Sequence, residues 1–390
     1  MKRVLVLGGD GYLGWPTALH FAKLGWEVAV VDNLIKRHWE NQIGVEPLIN
    51  IPTLHSRVEW QNNLNKHNPI KLYLGDISNN YRFIVNVLAE FKPDTIVHYA
   101  EQPSAPFSMI DHQTALETQI NNIAGTLNLM FAIRREVPNS HIIKLGTMGE
   151  YGTPNIVIEE GWIEIEHKGR KDKVLFPKKP GSFYHLSKVH DSQNLEFACR
   201  IWGMRVTDLN QGVVYGIRTH ESAPTDESRT SFHYDSVFGT VLNRFVTQAA
   251  AGIPLTVYGE GGQTRGYLNI LDTLNCVRIA AENPPQEGEF RVFNQFTETF
   301  SVNELANKVS RIGVELGLDT KIQTIQNPRI EMENHFYEPV HSSLTNLGLA
   351  PTLLSDEIIR DMFEYVLPQK KRIQMNSLIP RVKWSSKEVV

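Results

Sequence analysis

Residues 3–7 (RVLVL) form a short apolar run, and Gly8, Gly11 and Gly14 follow it at three-residue spacing before a helical pattern from Trp15 to Leu24. A strand that turns straight into a helix in this way needs glycine. Backbone must approach a pyrophosphate closely, and the helix N-terminus, with Tyr12 and Leu13 beside it, faces the negative charge. A tight bend without a ligand would use the same glycines, but the residues that follow weigh against it. Gly25 stops the helix, and residues 26–31 (WEVAVV) make a second strand that ends in Asp32-Asn33. A carboxylate there can accept both hydroxyls of an adenosine ribose, which selects NAD over NADP. Lys36 and Arg37 would instead welcome a 2′-phosphate; the acid is taken as the stronger signal.

Strands and helices keep alternating. A third strand at 72–74 runs into Gly75, Asp76 and Ile77, where an adenine would lie, and helix follows from Asn79 to Phe91. Thr95 to Tyr99 is a buried strand followed by Ala100-Glu101-Gln102, and Gln119 to Glu136 reads as one long helix carrying Asn121 and Asn122. Such alternation implies right-handed crossovers and a parallel sheet covered on both faces. The expected fold is therefore α/β, a doubly wound sheet of Rossmann type. Residues 38–70 and 219–236 are polar and irregular, and read as insertions.

A chain of 390 residues accommodates a second, smaller α/β unit. Its formal charge of −4 argues against nucleic-acid or anionic-membrane partners. No apolar run reaches the roughly eighteen residues of a membrane span. The only cysteines are Cys199 and Cys276, and the fourteen histidines form no metal-binding pattern, so neither disulfide nor metal is expected. A first strand starting at Lys2 leaves no room for a leader, and the expected setting is reducing and cytoplasmic.

The chemistry centres on Tyr184 and Lys188, four residues apart and so on one face of a helix. A free phenol titrates near ~10, and an ammonium beside it favours the phenolate. Such a pair can take a proton from a hydroxyl while hydride leaves the same carbon. A strand at 141–145 ends near Thr147, where a hydroxyl would point into the ligand crevice of a doubly wound sheet. Residues 153–181 between them suggest a hairpin or lid.

Together the glycine turn, Asp32, Thr147 and Tyr184-x-x-x-Lys188 resemble the extended short-chain dehydrogenase/reductases, which rework nucleotide-sugars. Longer runs are similar to the UDP-sulfoquinovose synthases among them: Ala100-Glu101-Gln102, SMID at 108–111, KLGTMGEYGTPN at 144–155, YHLSKVHDS at 184–192, DLNQGVVYG at 208–216 and EFRVFNQFTE at 289–298. The likeness extends to Trp384.

What the resemblance implies is a synthase taking UDP-glucose and sulfite with a tightly held NAD. Tyr184 would be the base, Lys188 its support, and Thr147 the holder of the 4-hydroxyl. Ala100, Gln102, Asn122, Gln211 and Val214 would approach the cofactor. Gln102, Gly149, Asn210, Gln211 and Arg244 would approach the sugar nucleotide, Thr256, Val257 and Tyr258 would flank a uracil through their backbone, and Gln263, Arg265 and Arg329 would hold the diphosphate. Related dehydratases carry Thr-Asp-Glu where this chain has Thr147-Met148-Gly149-Glu150. Met148 cannot transfer protons, so Glu150 or His185 is expected to act at carbons 5 and 6; His185 could equally be a packing residue. Pro103 replaces an Arg of the family. The expected cofactor domain is 1–212 with returns near 268–283 and 336–366; the substrate domain is 213–267 and 284–335. Residues 367–390 are read as a tail wrapping a partner subunit, in a homodimer or higher homo-oligomer. The rivals are an epimerase or 4,6-dehydratase of the same superfamily, and an NAD sensor without catalysis.

Overall fold

The computed structural model describes residues 2–222 and 225–383. Seven strands form one sheet in the order Phe290–Gln295, Arg205–Gln211, His141–Thr147, Thr95–His98, Arg3–Leu7, Glu27–Asp32, Lys71–Leu74, and every neighbouring pair is parallel. Side chains alternate across a strand. Val4, Val6, Val28 and Val30 therefore enter one core with helices Gly14–Lys23 and Ile270–Glu282. Leu5, Leu7, Ala29 and Val31 enter the other, with helices Tyr81–Phe91, Gly125–Glu136 and Phe183–Trp202. Burial on both faces is why these strands read as continuous apolar runs.

The chain starts mid-sheet and reverses direction of growth between Arg3–Leu7 and Thr95–His98, so a crevice opens at the carboxyl ends of those two strands. Two glycines allow the walls to close on it. A Cβ on Gly8, whose φ is +85°, would lie 2.8 Å from the carbonyl carbon of Tyr99, and one on Gly14 would lie 1.9 Å from the oxygen of Gly8.

A second core gathers Tyr215, Phe245, Val257, Tyr267, Leu305 and Phe363. Around it lie helices Val241–Ala251, Val302–Glu315 and Asp356–Val366 and two small sheets: Thr264–Asn269 beside Glu298–Ser301 and Val213–Tyr215, and Leu255–Tyr258 beside Ile322–Ile325. Two expected boundaries shift. Phe290–Gln295, assigned to the substrate domain, completes the main sheet against Arg205–Gln211. Asp356–Val366, assigned to the cofactor domain, buries Ile359, Met362 and Phe363 in the second core.

The first insertion folds as helices Ile35–Ile43 and Leu54–Leu64. From the second helix Arg57, wholly buried, reaches Asp10 of the glycine turn (3.3 Å), donates to the carbonyl of Arg229 (2.7 Å) and stacks over Trp15. The expected hairpin is present as Trp162–His167 and Arg170–Leu175, closed by Lys168 and Gly169, both at positive φ. The tail, as far as residue 383, lies on its own chain: the Gln374 N–H donates to the Tyr234 hydroxyl (2.8 Å), the Ser236 N–H to the Ser377 carbonyl (2.9 Å), and Leu378 is buried. Trp384 and the residues after it lie outside the described residues.

Candidate active site

Ser182 caps the helix Phe183–Trp202 by accepting the His185 N–H, and this start places Tyr184 in the first turn and Lys188 one turn on. Tyr184 lines a cavity of about 1370 Å³ together with Thr147, Met148, Gly149 and His185. One drug-sized ligand occupies about 300–1,000 Å³, so this space suits two. The cavity runs from the glycine turn past Asp32, Asn33, Ile77 and Ala100 to Gln211, Val214, Arg244, Tyr258, Gln263, Arg265 and Arg329.

Lys188 is buried behind the tyrosine. Its ammonium donates to the Leu145 carbonyl (2.6 Å) and pairs with Glu101 Oε2 (2.7 Å). Burial works against its charge, but Glu101 and then Tyr184 outweigh it and hold the lysine protonated. The tyrosine departs from the expectation. Burial pushes its phenol up, and although Lys188 pulls it down, Glu101 and Glu150 oppose that pull, so the net shift is upward. The lysine is in place, but its effect is partly cancelled by a carboxylate that the Tyr-Lys spacing gives no hint of.

Thr147 ends its strand in extended geometry. Its hydroxyl accepts the Gly149 N–H (3.1 Å) and its own N–H donates to Glu150 Oε1 (3.2 Å). Glu150 does not reach the cavity. Burial alone would raise its carboxyl, yet Lys144 and Lys178 hold it down to about 2. A fixed carboxylate that caps the Thr147 turn is not a proton shuttle, and Glu150 is corrected to a positioning residue. His185 does line the cavity. A Cβ on Gly149 would lie 2.2 Å from His185 Nε2, so the imidazole fills the space a side chain at 149 would take. Burial, and then Arg329, lower its pKa to about 4, which leaves it neutral near pH 7.

The cofactor end fits NAD. Asp32 accepts the Asp10 N–H (2.9 Å) on one oxygen and the Leu34 N–H (2.7 Å) on the other, which leaves each an acceptor lone pair. Arg37 spends its fork on Asp10 (2.6 and 3.0 Å), and Lys36 is held by Glu40 and His233, so neither stands ready for a 2′-phosphate. Three expected ligands lie elsewhere. Asp76 accepts from Ser78 and Asn79 instead of facing the cavity. The helix after Gln119 opens into a wide turn, Ile120–Ala124, which puts Asn121 on the cavity wall; Asn122 lies behind, accepting the Gln102 N–H and donating to Ser187 Oγ (2.9 Å). Gln102 itself is buried against Ser104 and Thr118.

At the other end Arg244 Nε, the Tyr258 hydroxyl and Gln263 Oε1 are buried without a hydrogen-bond partner among the described residues. Three such atoms on one wall call for a polar ligand. The Arg244 guanidinium lies 4.3 Å from the Tyr258 ring centroid and donates to the Thr256 carbonyl. Thr256 and Val257 are thus taken up by Arg244 and by pairing with Ile322–Ile325, and do not flank a ligand. Asn210 is likewise internal, donating to the Tyr151 hydroxyl (2.6 Å). Arg265 pairs with Glu331 (2.7 Å) at the cavity edge. Sequence reasoning missed Glu101, Lys144, Lys178 and Asp191; Lys144 inside an otherwise apolar strand was the one available signal.

A doubly wound sheet with Thr, Tyr and Lys at its carboxyl edge defines the class, a dehydrogenase-type scaffold working on a second ligand beside a dinucleotide. The chain belongs to the NAD dependent epimerase/dehydratase family, whose profile matches residues 4–294. It is 52% identical over 384 residues to the chloroplastic UDP-sulfoquinovose synthase of Spinacia oleracea, covering 98% of this chain and 79% of that one. It is 44% identical to the UDP-sulfoquinovose synthase of Sulfolobus acidocaldarius, covering 100% and 99%. The fold matches the UDP-glucose 4-epimerase of Bifidobacterium longum in complex with NAD+ and UDP (TM-score 0.69, 19% identity, 95% of this chain and 100% of that one).

Proposed function

We propose that the protein makes UDP-sulfoquinovose from UDP-glucose and sulfite. What carries this reading is that two UDP-sulfoquinovose synthases match the chain over nearly all of its length, while Thr147, Tyr184 and His185 line one cavity with Lys188 behind the tyrosine. The cofactor is NAD, held by the glycine turn, Asp32 and the wall at Ile77, Ala100 and Val214. Bound there, NAD supplies the two-electron acceptor and donor, and the positive ring charge, that side chains lack.

The residues do the rest. Thr147 holds the 4-hydroxyl of glucose and Tyr184 removes its proton while carbon 4 is oxidised. The resulting ketone acidifies the hydrogen on carbon 5. His185 is held through its Nδ1 contact with Ser182 Oγ (3.0 Å), and in the tautomer that leaves Nε2 bare it takes that proton. His185 passes that proton to the 6-hydroxyl, which leaves as water across carbons 5 and 6. Sulfite, entering as bisulfite, adds its sulfur to carbon 6 of the conjugated alkene and its proton goes by way of His185 to carbon 5, and carbon 4 is reduced again as Tyr184 returns its proton. One water leaves for each sulfite consumed. Arg244, Tyr258, Gln263, Arg265 and Arg329 hold the uridine diphosphate; an arginine fork suits phosphate better than lysine does. Met148, in the place of an Asp, sets the chain apart from the dehydratases.

The protein works as a homodimer. Leu116, Ile120, Phe131, Phe197 and Ile201 are exposed on the helices flanking and including Phe183–Trp202, an apolar face that a second copy would cover. No helix among the described residues is long and apolar enough to cross a membrane, and the proposed setting is the cytoplasm.

Mass spectrometry after incubation with UDP-glucose tests the reaction. A sulfonated nucleotide-sugar should form only when sulfite is present; UDP-galactose in both arms would mean an epimerase. His185→Ala should cut turnover by about a hundredfold or more and abolish deuterium uptake at carbon 5 in heavy water. Unchanged turnover with an unchanged pH profile would remove His185 from the mechanism.

A further inference from the structure

Glu101 was no part of the expected site, yet it supplies the carboxylate that pairs with the catalytic lysine. It follows the strand Thr95–His98, lines the cavity, and lies 2.7 Å from Lys188 Nζ. Both side chains are nearly dry, at 2% and 3% exposure. We propose that Glu101 is a positioning residue whose charge, locked on Lys188, restrains the pull of that lysine on Tyr184, so that one phenol can both take the carbon-4 proton and return it.

The charges around the pair support this. His98 Nε2 lies 3.7 Å from the other Glu101 oxygen, but burial lowers that imidazole to about 4 and leaves it neutral. Asp191, one turn beyond Lys188, is buried with both oxygens lacking a hydrogen-bond partner among the described residues; burial and then Glu101 push its carboxyl well up, which disfavours its charge. From the next strand Lys144 is offset by Asp208 and by Glu150 of the adjoining turn. What remains immediately behind Tyr184 is one ammonium and one carboxylate, which nearly cancel. A lysine alone would make the phenol a readier base and a poorer acid. The reaction proposed above, on which this inference rests, oxidises carbon 4 and later reduces it, so the same oxygen has to work in both directions. The return step needs a phenol that still holds a proton to give, and an unopposed lysine would favour the phenolate instead.

Glu101→Gln keeps an acceptor oxygen for Lys188 and removes the charge. Tyrosinate absorbance of the NAD-bound protein, read against the same variant carrying Tyr184→Phe, should titrate at a pH lower by about one unit than in the parent. The acid limb of kcat should move down with it, while KM for UDP-glucose changes by less than about twofold. Glu101→Asp, with the charge retained, should leave the tyrosinate midpoint in place. If Glu101→Gln does not fold, Glu101→Ala read without and with formate replaces it, and formate should move the midpoint back up. A midpoint that stays put or rises in the uncharged variant, or a fall in kcat with no change in the pH profile, overturns the inference. The phenol titration needs no sugar nucleotide, so it succeeds or fails apart from the proposed reaction.

Discussion

Tyr184→Phe is expected to stop turnover, lowering kcat by about a thousandfold or more. The substitution removes one oxygen and keeps the ring, which packs beside His185 with centroids 5.0 Å apart. Among the described residues no donor or acceptor loses a partner, because the hydrogen bonds Tyr184 makes are through its backbone, its N–H to Ser108 Oγ (3.0 Å) and its carbonyl from Ser187 Oγ (2.8 Å). The variant should fold, unfold at the parent temperature and retain NAD. The loss should appear before any ketone is formed, so no reduced cofactor should accumulate with UDP-glucose alone. Chromatography of the product, with thermal unfolding as control, reads both halves. Turnover within tenfold of the parent would mean that another group takes the carbon-4 proton.

The second large effect concerns stability. Lys144 is wholly buried in the strand His141–Thr147, where its ammonium pairs with Glu150 (3.2 Å) and Asp208 (3.4 Å) and donates to Ser192 Oγ (2.8 Å) and the Lys188 carbonyl (3.0 Å). Lys144→Met leaves buried carboxylates facing one another with only Lys178 between them and the solvent. Breaking a buried pair from one side costs about 3–5 kcal/mol, to be read as a lower urea midpoint near neutral pH. Glu150 gives the effect a pH signature. Held at about 2, well under the usual carboxylate range, its contribution is complete above the unfolded value and lost as pH falls through the folded one. The gap between parent and variant should therefore shrink on acidification. Adding Asp208→Asn should recover part of the loss. A Lys144→Met protein as stable as the parent would mean that the network contributes nothing net.

Much of this architecture was legible because it is written in short-range periodicity. Continuous apolar strands, glycines at fixed spacing and a Tyr-Lys pair one turn apart each depend on a few neighbouring residues. Contacts between distant segments were not legible. Glu101 and Lys188 come from a strand end and a helix far apart in the chain, and nothing near either residue signals the other. Lys178 reaches Glu150 from beyond the hairpin. The wide turn at Ile120–Ala124 exchanges the roles of Asn121 and Asn122, because one extra residue per turn rotates the helix face past the point that regular spacing assigns. Asn210 and Thr256 carry ligand-like chemistry, but the Asn210 amide donates to Tyr151 and Thr256 is bound by Gln248, and that only tertiary packing reveals.

The insertions that lengthen the chain meet over the dinucleotide end. Arg57 fastens the first insertion and the carbonyls of Glu227 and Arg229 in the second to Asp10, and Trp15 Nε1 also donates to the Glu227 carbonyl (2.9 Å). A desolvated guanidinium held by several oxygens stiffens the rim at the glycine turn, and release of a bound dinucleotide is an event that a stiff rim slows. A reaction that returns its redox partner unchanged has no need of that event, and the protein can treat as a permanent fitting what other dehydrogenases exchange at every turnover.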